Sequence, residues 1–223
     1  MNQFGLIGEG ITDQIVVQNI LFACFSDPDI LVTYLQPLRD ITNDVIAASA
    51  GNWHKVLEYC GSHVFRSSFQ SLDYIIIQID SDVFLSGDVQ EKYRNIIRST
   101  DNCETVVEKL KEIIINSIGE EFYNGIQERV IFAICVNSIE CWLLPIYYST
   151  KTAIAAKTTG CLEKLNQILP QQEEFYIDEK KPKYYTKISQ RYFRKMTNKE
   201  FRRRAAMNPS LNMFVTSLKD FKA

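Results

Sequence analysis

Residues 75–84 read IIIQIDSDVF, and Tyr74 precedes them. Tyr74 to Ile79 is a near-continuous run of β-branched and aromatic residues. That composition suits a central parallel strand covered on both faces. Asp80 and Asp82 close the strand. On an extended chain, residues i and i+2 point the same way, so the two carboxylates are expected to converge. Alone they repel, and such a pair is usually stabilised by a cation. Ligands that are all oxygen point to Mg²⁺ or Mn²⁺ rather than zinc. A solvated Asx turn after a strand is the simpler alternative.

The flanking sequence repeats the alternation. Upstream, Phe4, Leu6 and Ile7 suggest a short strand ending at Gly8. Val16, Ile20, Ala23 and Cys24 give residues 13–24 one apolar helical face, and Asp27-Pro28 stops it. Ile30 to Leu35 reads as a second buried strand, and residues 51–60 as a helix started near Ser49. Downstream, residues 104–117 carry Val106, Val107, Leu110, Ile113 and Ile114 on one face of a helix. Val130 to Val136 is another buried strand, followed by a helix over about Ile139 to Tyr147. Strands and helices in this order argue an α/β layered fold with a mainly parallel central sheet.

The last third reads differently. Leu162, Leu165, Ile168 and Leu169 mark a short helix before Pro170, residues 171–183 read as a loop, and Asn208-Pro209 starts a final helix. The organisation expected is an α/β core over residues 1–150 and a helical, basic C-terminal extension over 151–223 packed on it. The length of 223 residues suits one such unit. With 46% hydrophobic and 23% charged residues, the chain is not disordered, fibrous or a coiled coil. No apolar run reaches the ~18–20 residues of a membrane span. No signal peptide is visible, and six scattered cysteines without a CxxC pair read as small core residues of a cytoplasmic protein. His54 and His63 are the only histidines, and both read as structural.

The net charge of −2 hides an asymmetry. Residues 1–150 carry 9 Lys+Arg against 20 Asp+Glu, and residues 151–223 carry 16 against 7. The sharpest basic stretch runs from Lys180 to Arg204, with Tyr184, Tyr185, Tyr192, Phe193 and Phe201 interleaved. Lys180, Lys181, Lys187, Arg191, Arg194, Lys195, Arg202, Arg203 and Arg204 suit contact with a phosphate backbone, and the aromatics suit base stacking. The alternative is a solvated helix face with its aromatics turned into the core.

Carboxylates also end the other strands. Glu9 lies in the turn after the first strand, between Gly8 and Gly10, and Asp13 follows near the start of a helix. A helix dipole favours a carboxylate at Asp13 without any ligand. Glu140 sits where a buried strand gives way to an apolar helix that Ser138 can cap. In an open parallel sheet, these C-terminal strand edges are where ligands bind. Five carboxylates beside a basic segment suit a two-metal site acting on an anionic substrate.

Glu9-Gly10 with Asp13, then Asp80-Ser81-Asp82 after a hydrophobic strand, resemble the Toprim domain of topoisomerases, primases and OLD-family nucleases. SIECWLL (138–144) and NPSLNMFVTSL (208–218) resemble small Toprim-like proteins of bacterial defence loci. The resemblance implies a Toprim-like layered fold in which Glu9, Asp80 and Asp82 are catalytic metal ligands. It further implies that Asp13 and Glu140 serve a second Mg²⁺ or Mn²⁺ ion, with Ser138 supporting Glu140. OLD-type nucleases also use a late lysine, for which Lys183 is the first match, with Lys187 and Lys181 behind it.

The sequence has no primase zinc finger and no GxxxxGK[ST] loop, so an ATPase would be a separate, ABC-type partner. The expectation is a cytoplasmic, metal-dependent DNA or RNA nuclease of bacterial or phage defence, with no membrane association and its oligomeric state open. The alternatives are a non-catalytic, regulatory Toprim-like subunit of an ATPase complex, and a phosphotransfer enzyme acting on a nucleotide.

Overall fold

The structure is a computed structural model and describes residues 2–39, 52–86 and 89–218. Four strands, β1 (Gln3–Ile7), β2 (Leu31–Gln36), β3 (Tyr74–Asp80) and β4 (Val130–Cys135), form one sheet in the order β2-β1-β3-β4. All three pairings are parallel, with Phe4 opposite Val32, Leu6 opposite Ile76 and Asp80 opposite Cys135. The α/β class and parallel sheet read from the sequence are thus observed, and they are consistent with a Toprim-like fold.

The β-branched run does in β3 what its composition requires. Ile75, Ile77 and Ile79 enter one apolar cluster and Ile76 the other, and all four are fully buried. This is period-two alternation with both faces covered. One face carries α2 (Trp53–Cys60), α3 (His63–Ser68), α5 (Cys103–Ile118) and α6 (Glu120–Ile126). The short α4 (Asp82–Ser86) follows β3 directly.

The other face carries α1 (Ile11–Phe25) and α7 (Glu140–Tyr147). Beyond them lie α8 (Thr152–Ala155), α9 (Cys161–Glu173), α10 (Pro182–Ser189), α11 (Arg191–Arg194), α12 (Asn198–Ala205) and α13 (Pro209–Ser217). α1 is buried on nearly every side, because α10, α11 and α12 pack against the face the sheet leaves open. The helices after residue 150 therefore share one apolar cluster with β1 and α1.

Several local expectations need correction. β2 is a half-exposed edge strand, not a buried one, because the sheet ends there. α2 is capped by Asn52, whose side chain accepts from the Lys55 N–H; Ser49 lies outside the described residues. α9 continues through Pro170 to Glu173, since a proline in the last turn removes only one hydrogen bond. The segment expected to be a loop to residue 183 ends earlier, because Pro182 occupies the first turn of α10. The final helix starts as expected, with Asn208 accepting from the Leu211 N–H.

The cysteines are not all unpaired core thiols. Cys141 and Cys161 form a disulfide that joins α7 to α9, while Cys24, Cys60 and Cys135 are free and buried. Among the described residues, no helix is long and apolar enough to cross a membrane.

Candidate active site

The chain runs from β1 to β2 on one side of β1 and returns to β3 on the other. That reversal falls between the C-terminal ends of β1 and β3, where open α/β sheets usually have their ligand crevice. Glu9 follows β1 and Asp80 ends β3, so both stand at it.

The two are tied together through Gln78. Its side-chain amide, fully buried, accepts the Glu9 N–H at 3.0 Å and donates to Asp80 Oδ1 at 2.8 Å. Glu9 Oε1 accepts the Asp80 N–H at 2.7 Å, which closes the loop of contacts. The Ile139 N–H approaches Asp80 Oδ2 at 3.3 Å.

Gly10 leaves room for Asp13, because a Cβ on Gly10 would stand 2.9 Å from Asp13 Oδ2. Asp13 is buried in the first turn of α1, and its Oδ1 has no hydrogen-bond partner among the described residues.

Ser81 fastens β3 to the end of β4. Its hydroxyl accepts the Asn137 N–H at 2.7 Å, and the Asn137 carbonyl accepts the N–H groups of Ser81 and Asp82. Asn137 holds a φ of 72°, a left-handed conformation that asparagine tolerates. The chain leaves the extended form after Asp80. Asp82 therefore reaches the site from the first turn of α4 rather than as the i+2 residue of a strand, and its Oδ1 accepts the Val83 N–H.

Glu140 opens α7 and is buried. The Tyr185 hydroxyl from α10 donates to its Oε1 at 2.5 Å, and Lys180 Nζ stands 3.5 Å from the same atom. Ser138 hydrogen-bonds the Glu140 side chain rather than capping α7, whose N-cap position is Ile139.

The basic residue in the cluster is Lys180, and Lys183 is not brought there. Lys183 lies over the Tyr184 ring, beside a surface hollow lined by Lys181, Lys187 and Gln190. The loop before α10 decides this. Asn166 brackets Ile177 through both its N–H and its carbonyl, which pins the loop to α9 and presents Lys180 to the crevice.

The electrostatics follow from packing carboxylates out of water. Burial pushes Glu9 up to about 8, with Asp13 and Asp82 adding to the rise and the Asp80 N–H opposing it. Burial pushes Asp13 up to about 7 against the pull of Lys180. Burial and the charges of Asp13 and Glu9 raise Asp80 well above the carboxylate range. Glu140 behaves oppositely: burial would raise it, but Lys180 and the Tyr185 and Ser138 hydrogen bonds hold it below its usual value. Burial disfavours the Lys180 ammonium, but Glu140, Asp13, Asp80 and Asp82 outweigh it and raise its pKa.

The donors suit a hard divalent cation, being all oxygen, and the partnerless Asp13 Oδ1 is an oxygen such an ion would satisfy. Among the described residues, however, no three His, Cys, Asp or Glu side chains already form a ligand set. Their oxygens face other partners: Gln78 and Ile139 for Asp80, the Asp80 N–H for Glu9, Tyr185 and Lys180 for Glu140.

Much of the basic stretch is committed to the fold. Arg191 pairs with Glu173, Arg203 and Arg204 with Glu200, and Arg202 donates to the Cys24 carbonyl at the end of α1. Lys181 pairs with Glu179, and Lys187 donates to the Glu173 carbonyl. Arg194 lies over Phe193, and Lys195 lines a polar hollow with Arg191 and Arg204. Tyr185, Tyr192 and Phe201 are fully buried, so these three face the core and not a base.

Sequence reasoning missed Gln78 and the role of Ser81, and gave Tyr185 and Lys180 different roles. A lone glutamine inside a β-branched strand was the available signal for Gln78. Comparison with protein-family models, with curated proteins and with solved structures finds no match.

Proposed function

We propose that the protein is a divalent-metal-dependent phosphodiester hydrolase acting on DNA or RNA. The observation that carries this reading is the gathering of Glu9, Asp13, Asp80 and Glu140 around one lysine at the switch point of a parallel sheet. Glu9, Asp80 and Asp82 would hold a first Mg²⁺ or Mn²⁺ ion, and Asp13 and Glu140 would assist or hold a second. Such an ion supplies Lewis acidity that acidifies water and stabilises a leaving oxygen.

The chain's own residues do the rest. Gln78 and the Asp80 N–H fix the Glu9 carboxylate in one orientation. Burial keeps the metal-free Glu9 and Asp13 carboxyls partly protonated near neutrality, so an ion bound there would displace those protons. Lys180, half-exposed at the mouth of the crevice, offers positive charge to an arriving phosphate. Lys183, over the Tyr184 ring beside a surface hollow, offers a further contact along a backbone. A cytoplasmic defence role and a separate ABC-type ATPase partner rest on the Toprim resemblance alone.

The test is incubation of the purified chain with supercoiled plasmid and with tRNA, in Mg²⁺, Mn²⁺ or EDTA, beside Asp80→Asn. Cleavage that needs the metal and falls by about 10³-fold or more in the variant supports the reading, since loss of the central carboxylate removes the ion's main anchor. Equal cleavage by both proteins sinks it.

A second reading is a non-catalytic binding subunit on the same scaffold. The absence of a ready-made ligand set among the described residues favours it. Calorimetry with Mn²⁺ separates the two, since a degenerate scaffold takes up no metal.

A further inference from the structure

We propose that Lys180 is the built-in counter-cation of the acidic cluster, and that a divalent metal ion competes with its ammonium group for the same carboxylates. The inference rests on the cluster being the metal site of the proposed function, and it adds how occupancy of that site is controlled.

Glu9, Asp13, Asp80 and Glu140 each feel the charge of Lys180, and among the described residues the one ion pair that any of the four makes is Glu140 with Lys180. One ammonium group therefore serves a cluster of four carboxyl groups. The nearest approach is 3.5 Å, to Glu140 Oε1, which is an ion pair but not a tight hydrogen bond. The Tyr185 hydroxyl already occupies that oxygen at 2.5 Å, so Glu140 keeps a partner when the ammonium leaves.

The Lys180 side chain is 53% exposed, and its four-carbon stem can carry the charge into solvent. The backbone need not follow. Asn166 holds Ile177 at both its N–H and its carbonyl, and the Lys181 N–H donates to the Glu179 carbonyl at 2.7 Å. Lys180 is thus a mobile charge on an anchored loop.

Two cations within a few ångströms of each other, beside buried carboxyl groups, repel. Metal ions drawing on Asp13, Asp80 and Glu140 enter the place the ammonium now serves.

The test uses the full-length chain stripped with EDTA and titrated with MnCl₂ in a calorimeter, as wild type, Lys180→Met and Lys180→Arg. Removing a competing charge predicts that Lys180→Met binds Mn²⁺ at least about tenfold more tightly than wild type. Lys180→Arg keeps the charge and stays within about threefold of wild type. Equal or weaker binding by Lys180→Met overturns the proposal, as does absence of Mn²⁺ binding in all three proteins. If Lys180→Met does not fold, Lys180→Gln carries the same comparison. Tighter binding in the neutral variant, with no cleavage of plasmid or tRNA by wild type, would uphold the competition and reject the nuclease reading.

Discussion

Glu9, Gln78 and Asp80 hold one another in a closed set of hydrogen bonds, so no one of them can be changed alone. Replacing Gln78 with leucine preserves size but strands the Glu9 N–H and Asp80 Oδ1. An unsatisfied buried group costs about 1–3 kcal/mol. The expected result is a loss of stability of that order for each group, read by urea unfolding, with far-ultraviolet circular dichroism unchanged.

The same carboxylates set a pH dependence. Glu9 and Asp13 have folded pKa values of about 8 and about 7, above their unfolded values, so the native state binds more protons than the unfolded one in between. Their contribution to stability is complete below the unfolded carboxylate range and is lost as pH rises toward about 8. Glu140, depressed by Lys180 and Tyr185, contributes in the opposite sense, and its share is lost as pH falls through its folded pKa. The metal-free protein should therefore melt at a lower temperature at pH 8.5 than at pH 6. Glu9→Gln should flatten that difference, and melting curves across the range check both.

At this scale the acids were legible. Asp80 and Glu9 end strands, and strand ends are readable from hydropathy. The lysine was not. Lys180, Lys181, Lys183 and Lys187 look alike in sequence, and the choice among them is made by Asn166 gripping Ile177, 11 residues away. No local pattern encodes that contact.

At the scale of elements, α7 is the piece most firmly fixed. It begins at Glu140, is tied by the Cys141–Cys161 disulfide to α9, and receives the Tyr192 hydroxyl on the Trp142 carbonyl. The Trp142 indole N–H donates to Ser210 Oγ at 2.8 Å, and its ring stacks on Phe214. Closing a loop between cysteines 20 residues apart stabilises a fold by about 3 kcal/mol in the chain-entropy account. Reduction, or Cys161→Ser, should lower stability by that order, checked by thermal unfolding with and without reductant and by peptide mapping of the bond.

Cysteine spacing could not reveal this pair, because six scattered residues allow many pairings and only the α7–α9 contact selects one. The helix caps were more transparent. Asn208-Pro209 marks the start of α13 by local chemistry alone, whereas Pro170 misleads because a late proline does not stop α9.

At the scale of the whole molecule, the last third is part of the core. α1 would expose a long apolar face without α10, α11 and α12. Asn19 donates to Ser189 across 170 residues, and Asn198 caps the Cys24 carbonyl across 174. A chain cut at residue 150 is therefore expected to lack a cooperative thermal transition and to bind a hydrophobic dye, the marks of a loosely packed state. Calorimetry and dye fluorescence of the truncated chain check this. The parallel sheet was readable from the alternation of strands and helices. The wrapping of α1 was not, because a helix apolar on all sides does not show which distant segments cover it.

The order in which the chain supplies its site has a consequence in time. Glu9, Asp13, Asp80, Asp82 and Glu140 leave the ribosome first, and Lys180 and Tyr185 come later. Until they arrive, the carboxylates have neither their cation nor the helices that close over them. The growing polypeptide thus passes through most of its synthesis with these carboxylates unpaired and uncovered, and the acidic cluster is complete only when the later helices dock. The completion of the cluster is thus delayed by the order of the residues alone.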